Sequence, residues 1–180
     1  MSVMISYFVH GTTDDNEIGR ATGQAQGRLS TIGIEQSKNL PNQIQDKSFK
    51  VVFCSDLRRA LDSAKLAFKG FFPIIIDKRL RECNYGQLTR TKDELVMYDH
   101  HIDTPFPGGE SLMDVEKRMR EFLDFLLKNY NNKHVAIVAH KATQLALEVI
   151  IHRKTWKQAI SEDWRLRKAW QPGWIYHYAK

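Results

Sequence analysis

The chain has 180 residues, 42% of them hydrophobic and 27% charged, which fits a soluble globular protein with enough chain for a substantial core. The apolar runs are far shorter than the ~20 residues of a membrane span, and the N-terminus lacks the basic region and long apolar core of a signal peptide. No membrane association and a cytoplasmic location are therefore expected. A formal net charge of +6 and a pI near 9.3 favour acidic ligands. The basic residues are spread out, though, and no nucleic-acid recognition motif accompanies them, so no nucleic-acid partner is expected. Two cysteines, Cys54 and Cys83, make neither a disulfide framework nor a metal quartet.

Apolar strand patterns fall at about residues 4–9, 50–54, 73–77, 134–139 and 174–178. The segments between them carry helical patterns, and no repeat or linker interrupts the chain. This alternation predicts one domain over 1–180. Its expected fold is α/β, a three-layer doubly wound, mostly parallel sheet with helices on both faces.

In chain order, a first helix is expected from Ser30, with Ile34 facing the core and Pro41 ending it. A second is expected after Ser55-Asp56 as its N-cap, with Leu57, Ala60, Leu61 and Ala64 on one face and Gly70 stopping it. The clearest helix follows Ser111, which forms a capping-box pattern with Asp114. Leu112, Val115, Met119, Phe122, Leu123 and Leu126 then make an apolar stripe. A last stripe, Leu145, Ala146, Val149 and Ile150, follows the fourth strand. The polar, glycine-rich stretches 11–28 and 83–110 are long loops of the kind that carry function. The C-terminal segment holds Trp156, Trp164, Trp170, Trp174, Tyr176 and Tyr178, interleaved with Arg165, Arg167 and Lys168. It reads as a final helix and an edge strand, or as an aromatic wall or homodimer patch.

Two strands end on a histidine. Met4 to Val9 closes on His10-Gly11, and Val135 to Ala139 closes on His140-Lys141. The carboxyl ends of neighbouring parallel strands line one crevice, where ligands bind. Two imidazoles delivered to one crevice suggest a nucleophile and its partner. A neutral imidazole can attack phosphorus directly, provided that cations hold the phosphoryl oxygens and an acid protonates the leaving oxygen.

Six segments in order resemble the histidine phosphatase superfamily, the phosphoglycerate-mutase-like fold, over nearly the whole chain. His10-Gly11-x-Thr13-x-x-Asn16 resembles its opening motif, and Gly23, Leu29, Gly33 and Gln36 fall at its next positions. Ser55-Asp56-Leu57-Arg58-Arg59-Ala60-x-x-Ser63-Ala64 resembles its second signature. Leu80-Arg81-Glu82-x-x-x-Gly86 resembles the acid motif. Pro107-Gly108-Gly109-Glu110-Ser111 with Arg118, and Val138-Ala139-His140, resemble the remaining two.

The resemblance implies a metal-independent phosphomonoesterase with no cofactor, acting on a small phosphorylated substrate through a phosphohistidine. His10 would be the nucleophile, Arg59 the phosphate grip, His140 a stabiliser of the transferring group, and Glu82 the general acid and then base. Asn16, Gly11, Thr13 and Gly23 would line the phosphate site, and Glu110 would be structural. Mutase-type phosphoryl transfer, or a non-catalytic phospho-ligand-binding module, are the alternatives. The chain departs from the family pattern at Val9, where the family carries its first arginine. Lys141, in place of a small residue, is expected to supply the missing charge, with Arg20 and Arg28 as weaker candidates.

Overall fold

The computed structural model describes residues 1–43, 46, 48–167 and 173–180. Lys168 and Trp170 of the basic, aromatic C-terminal pattern lie outside them. Five strands, β1 (Ser2–Val9), β2 (Val52–Cys54), β3 (Ile74–Ile76), β4 (Lys133–Ala139) and β5 (Gly173–Ala179), form one sheet in the order β3-β2-β4-β1-β5. All neighbours are parallel except β5, which runs antiparallel to β1. β1 and β4 are apolar on both faces because both faces are covered. β5 alternates buried Tyr176 and Tyr178 with exposed neighbours, as befits an edge strand.

Among the described residues, six α-helices accompany the sheet: α1 (Asp14–Glu17), α2 (Thr31–Lys38), α3 (Arg58–Phe68), α4 (Leu112–Asn129), α5 (Lys141–His152) and α6 (Trp156–Ser161). One core packs Val3, Ile5, Tyr7, Ile137 and Ala139 against the stripes of α4 and α5. The other packs Phe8, Val52, Cys54, Ala136 and Val138 against Ala64, Ala67 and Phe68 of α3. The sheet thus has helices on both faces, the expected three layers.

The Ser111–Asp114 capping box forms, with both reciprocal bonds made. Two expectations need correction. Ile34 is exposed, not core; α2 instead buries Gly33 and Ser37. It approaches the His10 loop so closely that a Cβ on Gly33 would stand 1.9 Å from the Thr12 carbonyl oxygen, and one on Gly11 would stand 2.2 Å from that of Gly33. Small residues, rather than an apolar stripe, set this contact. Second, Ser55 and Asp56 do not cap α3, whose N-cap is Leu57 with no side-chain bond. Asp56 forms a two-pronged pair with Arg81 at 2.7 and 2.5 Å, and Ser55 turns into the site described below.

Among the described aromatics of the C-terminal segment, Trp156, Tyr176 and Tyr178 are buried in the fold. Trp156 is buried and donates to Glu116 at 2.8 Å, and Trp174 meets the edge of Tyr7. Burial pushes both thiols up, that of Cys54 to about 12, so neither is a reactive thiolate. No helix among the described residues is long and apolar enough to cross a membrane.

Candidate active site

β1 and β4 are adjacent and parallel, with Val9 opposite Ala139. Their next residues, His10 and His140, therefore emerge side by side at the carboxyl edge of the sheet, with ring centroids 5.1 Å apart. The backbone N–H of His10 donates to the Ala139 carbonyl at 3.1 Å, which extends the ladder one residue past the strand.

The tautomer of His10 follows from its partners. Nδ1 lies 2.7 Å from the Gly11 carbonyl oxygen, which can only accept, so Nδ1 carries the proton. Nε2 then holds the lone pair, and it accepts from Arg59 Nε at 3.1 Å. Burial first, and the Arg59 charge second, lower the His10 pKa to about 3. The ring thus stays neutral, as a nitrogen nucleophile must be.

Arg59 sits in the first turn of α3 and is almost fully buried. Besides Nε, its Nη1 donates to the Ala25 carbonyl at 3.1 Å and its Nη2 to the Gly23 carbonyl at 2.6 Å. Gly23 adopts a left-handed φ of +55°, and a Cβ there would meet Tyr85 at 2.9 Å. The 11–28 loop therefore aims carbonyls at the guanidinium through a conformation that suits glycine. Of the five guanidinium N–H groups, three are committed to the protein and the other two are available to an anion.

His140 is fully buried, at the N-cap of α5. Its Nε2 lies 2.6 Å from Ser55 Oγ, which also accepts from the Leu57 N–H at 3.3 Å. A hydroxyl oxygen has two lone pairs, so either Ser55 Oγ or His140 Nε2 can donate in this contact. Nδ1 is buried without a hydrogen-bond partner among the described residues. Burial, aided by Arg59 and His10, holds this imidazole well below its ordinary pKa. Tyr7 fixes the backbone of His140 from below, donating to its carbonyl at 2.7 Å and accepting from its N–H at 2.9 Å.

Glu82 is buried against the start of α5. Its Oε1 accepts from the N–H groups of Cys83 at 2.8 Å and Ala142 at 3.0 Å, and its Oε2 accepts from Lys141 N–H at 3.2 Å. A carboxylate at a helix N-terminus is favoured by the unpaired N–H groups and the helix dipole. Arg118 clamps this segment, donating to the Glu82 and Arg79 carbonyls and to both oxygens of Glu110. Glu110 is thus a structural anchor for the acid loop. The Asp56–Arg81 pair holds the same loop to the turn after β2.

The other expected residues divide. Gly11 lies in the site and donates its N–H to Ser63 Oγ at 3.1 Å. Thr13 and Asn16 form a capping box, each side chain bonding the other's N–H at 3.1 Å. Thr13 is buried there while Asn16 stands at the surface. The Lys141 amine stands 3.5 Å from Asp163 Oδ2 and 4.6 Å over the Tyr98 ring. Arg28 lines a separate surface groove with Arg58 and Asp62, and Arg20 is exposed. Ser55 and Tyr7 were not singled out for this site from sequence. Tyr7 carried a signal: a phenol on a fully buried strand needs a polar partner for its hydroxyl.

Residues 8–167 match the histidine phosphatase superfamily, branch 1. The chain belongs to this superfamily. It is 28% identical over 149 residues to phosphoserine phosphatase 1 of Hydrogenobacter thermophilus, covering 77% of this chain and 71% of that one. It is 28% identical over 163 residues to a 2,3-bisphosphoglycerate-dependent phosphoglycerate mutase of Methylobacterium, covering 79% and 77%. Among solved structures, a mycobacterial glucosyl-3-phosphoglycerate phosphatase superposes with a TM-score of 0.74 at 26% identity, covering 89% of this chain and 84% of that one.

In this histidine phosphatase fold the two neutral imidazoles have a consequence for stability. The ordinary histidine pKa is about 6.5, and His10 is held near 3. Between those values the unfolded chain binds protons that the folded chain does not, so stability falls as pH drops through this window. The urea midpoint is expected to be lower at about pH 5 than at about pH 7. A midpoint that rises on acidification would contradict neutral, buried histidines.

Proposed function

We propose that the protein is a metal-independent phosphomonoesterase that acts on a small phosphorylated metabolite through a phosphohistidine at His10. The observation that carries this reading is the His10–Arg59 contact: a neutral imidazole with its lone pair on Nε2, beside a buried guanidinium with N–H groups available. The Nε2 lone pair attacks phosphorus, the bond from phosphorus to the ester oxygen breaks, and Glu82 delivers a proton to that leaving oxygen. Water then attacks the phosphohistidine, its proton passes to Glu82, the P–N bond breaks, and inorganic phosphate leaves. The Arg59 fork and the His140 imidazole stabilise the charge on the transferring group, the part a metal plays elsewhere. Gly11 and Gly23 shape the pocket, and the Thr13–Asn16 box holds the loop that lines it, leaving the Asn16 amide group as a neutral donor.

The test is hydrolysis of 4-nitrophenyl phosphate and of an alkyl phosphate in EDTA. Wild type is expected to hydrolyse both. Glu82→Gln is expected to lose about 10²–10⁴-fold in kcat on the alkyl ester, and less on the aryl ester, whose leaving group needs less protonation. Wild-type activity that disappears in EDTA, or a Glu82→Gln loss independent of the leaving group, would count against this assignment.

A further inference from the structure

The turn after α6 carries a second guanidinium, that of Arg165, bonded to Asp163. Asp163, buried, accepts on Oδ1 from the Arg165 N–H at 3.1 Å and from Arg165 Nη1 at 2.8 Å. The Lys141 amine stands 3.5 Å from Asp163 Oδ2, and Lys141 directly follows His140. The Arg165 guanidinium lies over the Trp164 ring at 4.6 Å. Trp164 packs against Trp174, and Trp174 against Tyr7, each with ring centroids 6.2 Å apart. Tyr7 is three residues before His10, on the same strand, and its hydroxyl holds His140. The turn is thereby tied to Tyr7 of β1 and to Lys141 at the start of α5, the two elements that carry or follow the histidines.

Arg165 Nη2 is buried and has no hydrogen-bond partner among the described residues. A buried guanidinium nitrogen without an acceptor is costly and suits a site that receives an anion. The Arg165 charge also acts on both groups: it adds to the lowering of the His10 pKa that burial dominates, and it partly offsets the rise that burial imposes on Tyr7. The strand itself offers no such cation: the residue before His10 is Val9, buried in the core.

We propose that Arg165 is the second guanidinium of the phosphoryl pocket, donating from Nη2 to a non-bridging phosphoryl oxygen, with Asp163 as the residue that positions it. This rests on the phosphohistidine reading above. Lys141 then acts at a remove: its amine shares Asp163 and helps fix the carboxylate that aims Arg165.

The test compares wild type with Arg165→Gln, Arg165→Lys and Asp163→Asn. It measures binding of inorganic phosphate by calorimetry and kcat/KM on 4-nitrophenyl phosphate, a substrate with no second anionic group. Arg165→Gln is expected to weaken phosphate binding by about 10-fold or more and lower kcat/KM by about 10²-fold. Arg165→Lys is expected to recover part of this, since a lysine restores the charge without the fork. Asp163→Asn is expected to raise KM in the wild-type background and to add little to Arg165→Gln, as residues acting in series do. Far-UV circular dichroism of each variant checks that the turn's loss has not unfolded the chain. Phosphate binding and kcat/KM within about twofold of wild type in folded Arg165→Gln would overturn the assignment. So would a loss confined to substrates with a second anionic group, which would place Arg165 on that group instead. Wild type that fails to bind phosphate would overturn the phosphohistidine reading itself, and the Arg165 assignment with it.

Discussion

His10→Ala is expected to lose at least about 10⁴-fold in kcat/KM on any phosphomonoester, a loss of the size seen when a covalent nucleophile is removed. His140 is not free to take its place, being fully buried with its Nε2 tied to Ser55. Direct attack by water would need a base opposite the leaving group, where the lone pair of His10 stood. His10→Asn separates chemistry from structure. Its amide N–H can still reach the Gly11 carbonyl that His10 Nδ1 contacts at 2.7 Å, but it offers no nucleophilic nitrogen. A folded, phosphate-binding and inactive Asn variant is the expected result. Activity within about 10-fold of wild type in either variant would remove His10 from the reaction.

Arg59→Met is expected to lower kcat/KM by about 10³–10⁵-fold, because removing even one preorganised donor costs about 10²–10³ and two are lost here. The substitution also leaves the Gly23 carbonyl without the 2.6 Å bond that anchors its loop. An unsatisfied buried carbonyl costs about 1–3 kcal/mol, so the melting temperature should fall together with activity. Arg59→Lys distinguishes the two effects. A lysine can answer one carbonyl or one phosphoryl oxygen with a point charge, yet it cannot reproduce the fork that spans His10, Gly23 and Ala25. Its stability should recover more than its turnover. Turnover near wild type in Arg59→Met would mean that the charge on the transferring group is met elsewhere.

The sheet and its two histidines were legible because the signal is local. Val135–Ala139 and Met4–Val9 are apolar runs that each stop at a histidine, and parallel neighbours must present such ends together. The α4 stripe was equally plain, since all six of its expected core residues are buried. Where the reading failed, tertiary contact overrode local pattern. Ile34 has the spacing of a core residue, but α2 meets its neighbours through Gly33 and Ser37, which propensity does not mark. Ser55 and Asp56 have the chemistry of an N-cap, and that same chemistry is taken up by His140 and Arg81 from distant segments. Lys141 follows His140 directly, and its amine meets Asp163, 22 positions later in the sequence, a contact that no local pattern marks. Arg165 was visible only as one of several basic residues near the C-terminus. Its place is set by the tilted contact of Trp164 with Trp174 and by the Asp163 bond, neither of which has a spacing signature.

The central claim is a covalent phosphoryl bond on His10 Nε2, and intact-mass spectrometry of rapidly quenched turnover in EDTA tests it most directly. Wild type mixed with excess 4-nitrophenyl phosphate and quenched in base should show a fraction of protein heavier by one phosphoryl group. That adduct should be stable in alkali, labile in acid, located on the peptide carrying His10, and absent from His10→Asn. Substrate hydrolysed with no acid-labile adduct at any quench time, or an adduct that persists in His10→Asn, would contradict it.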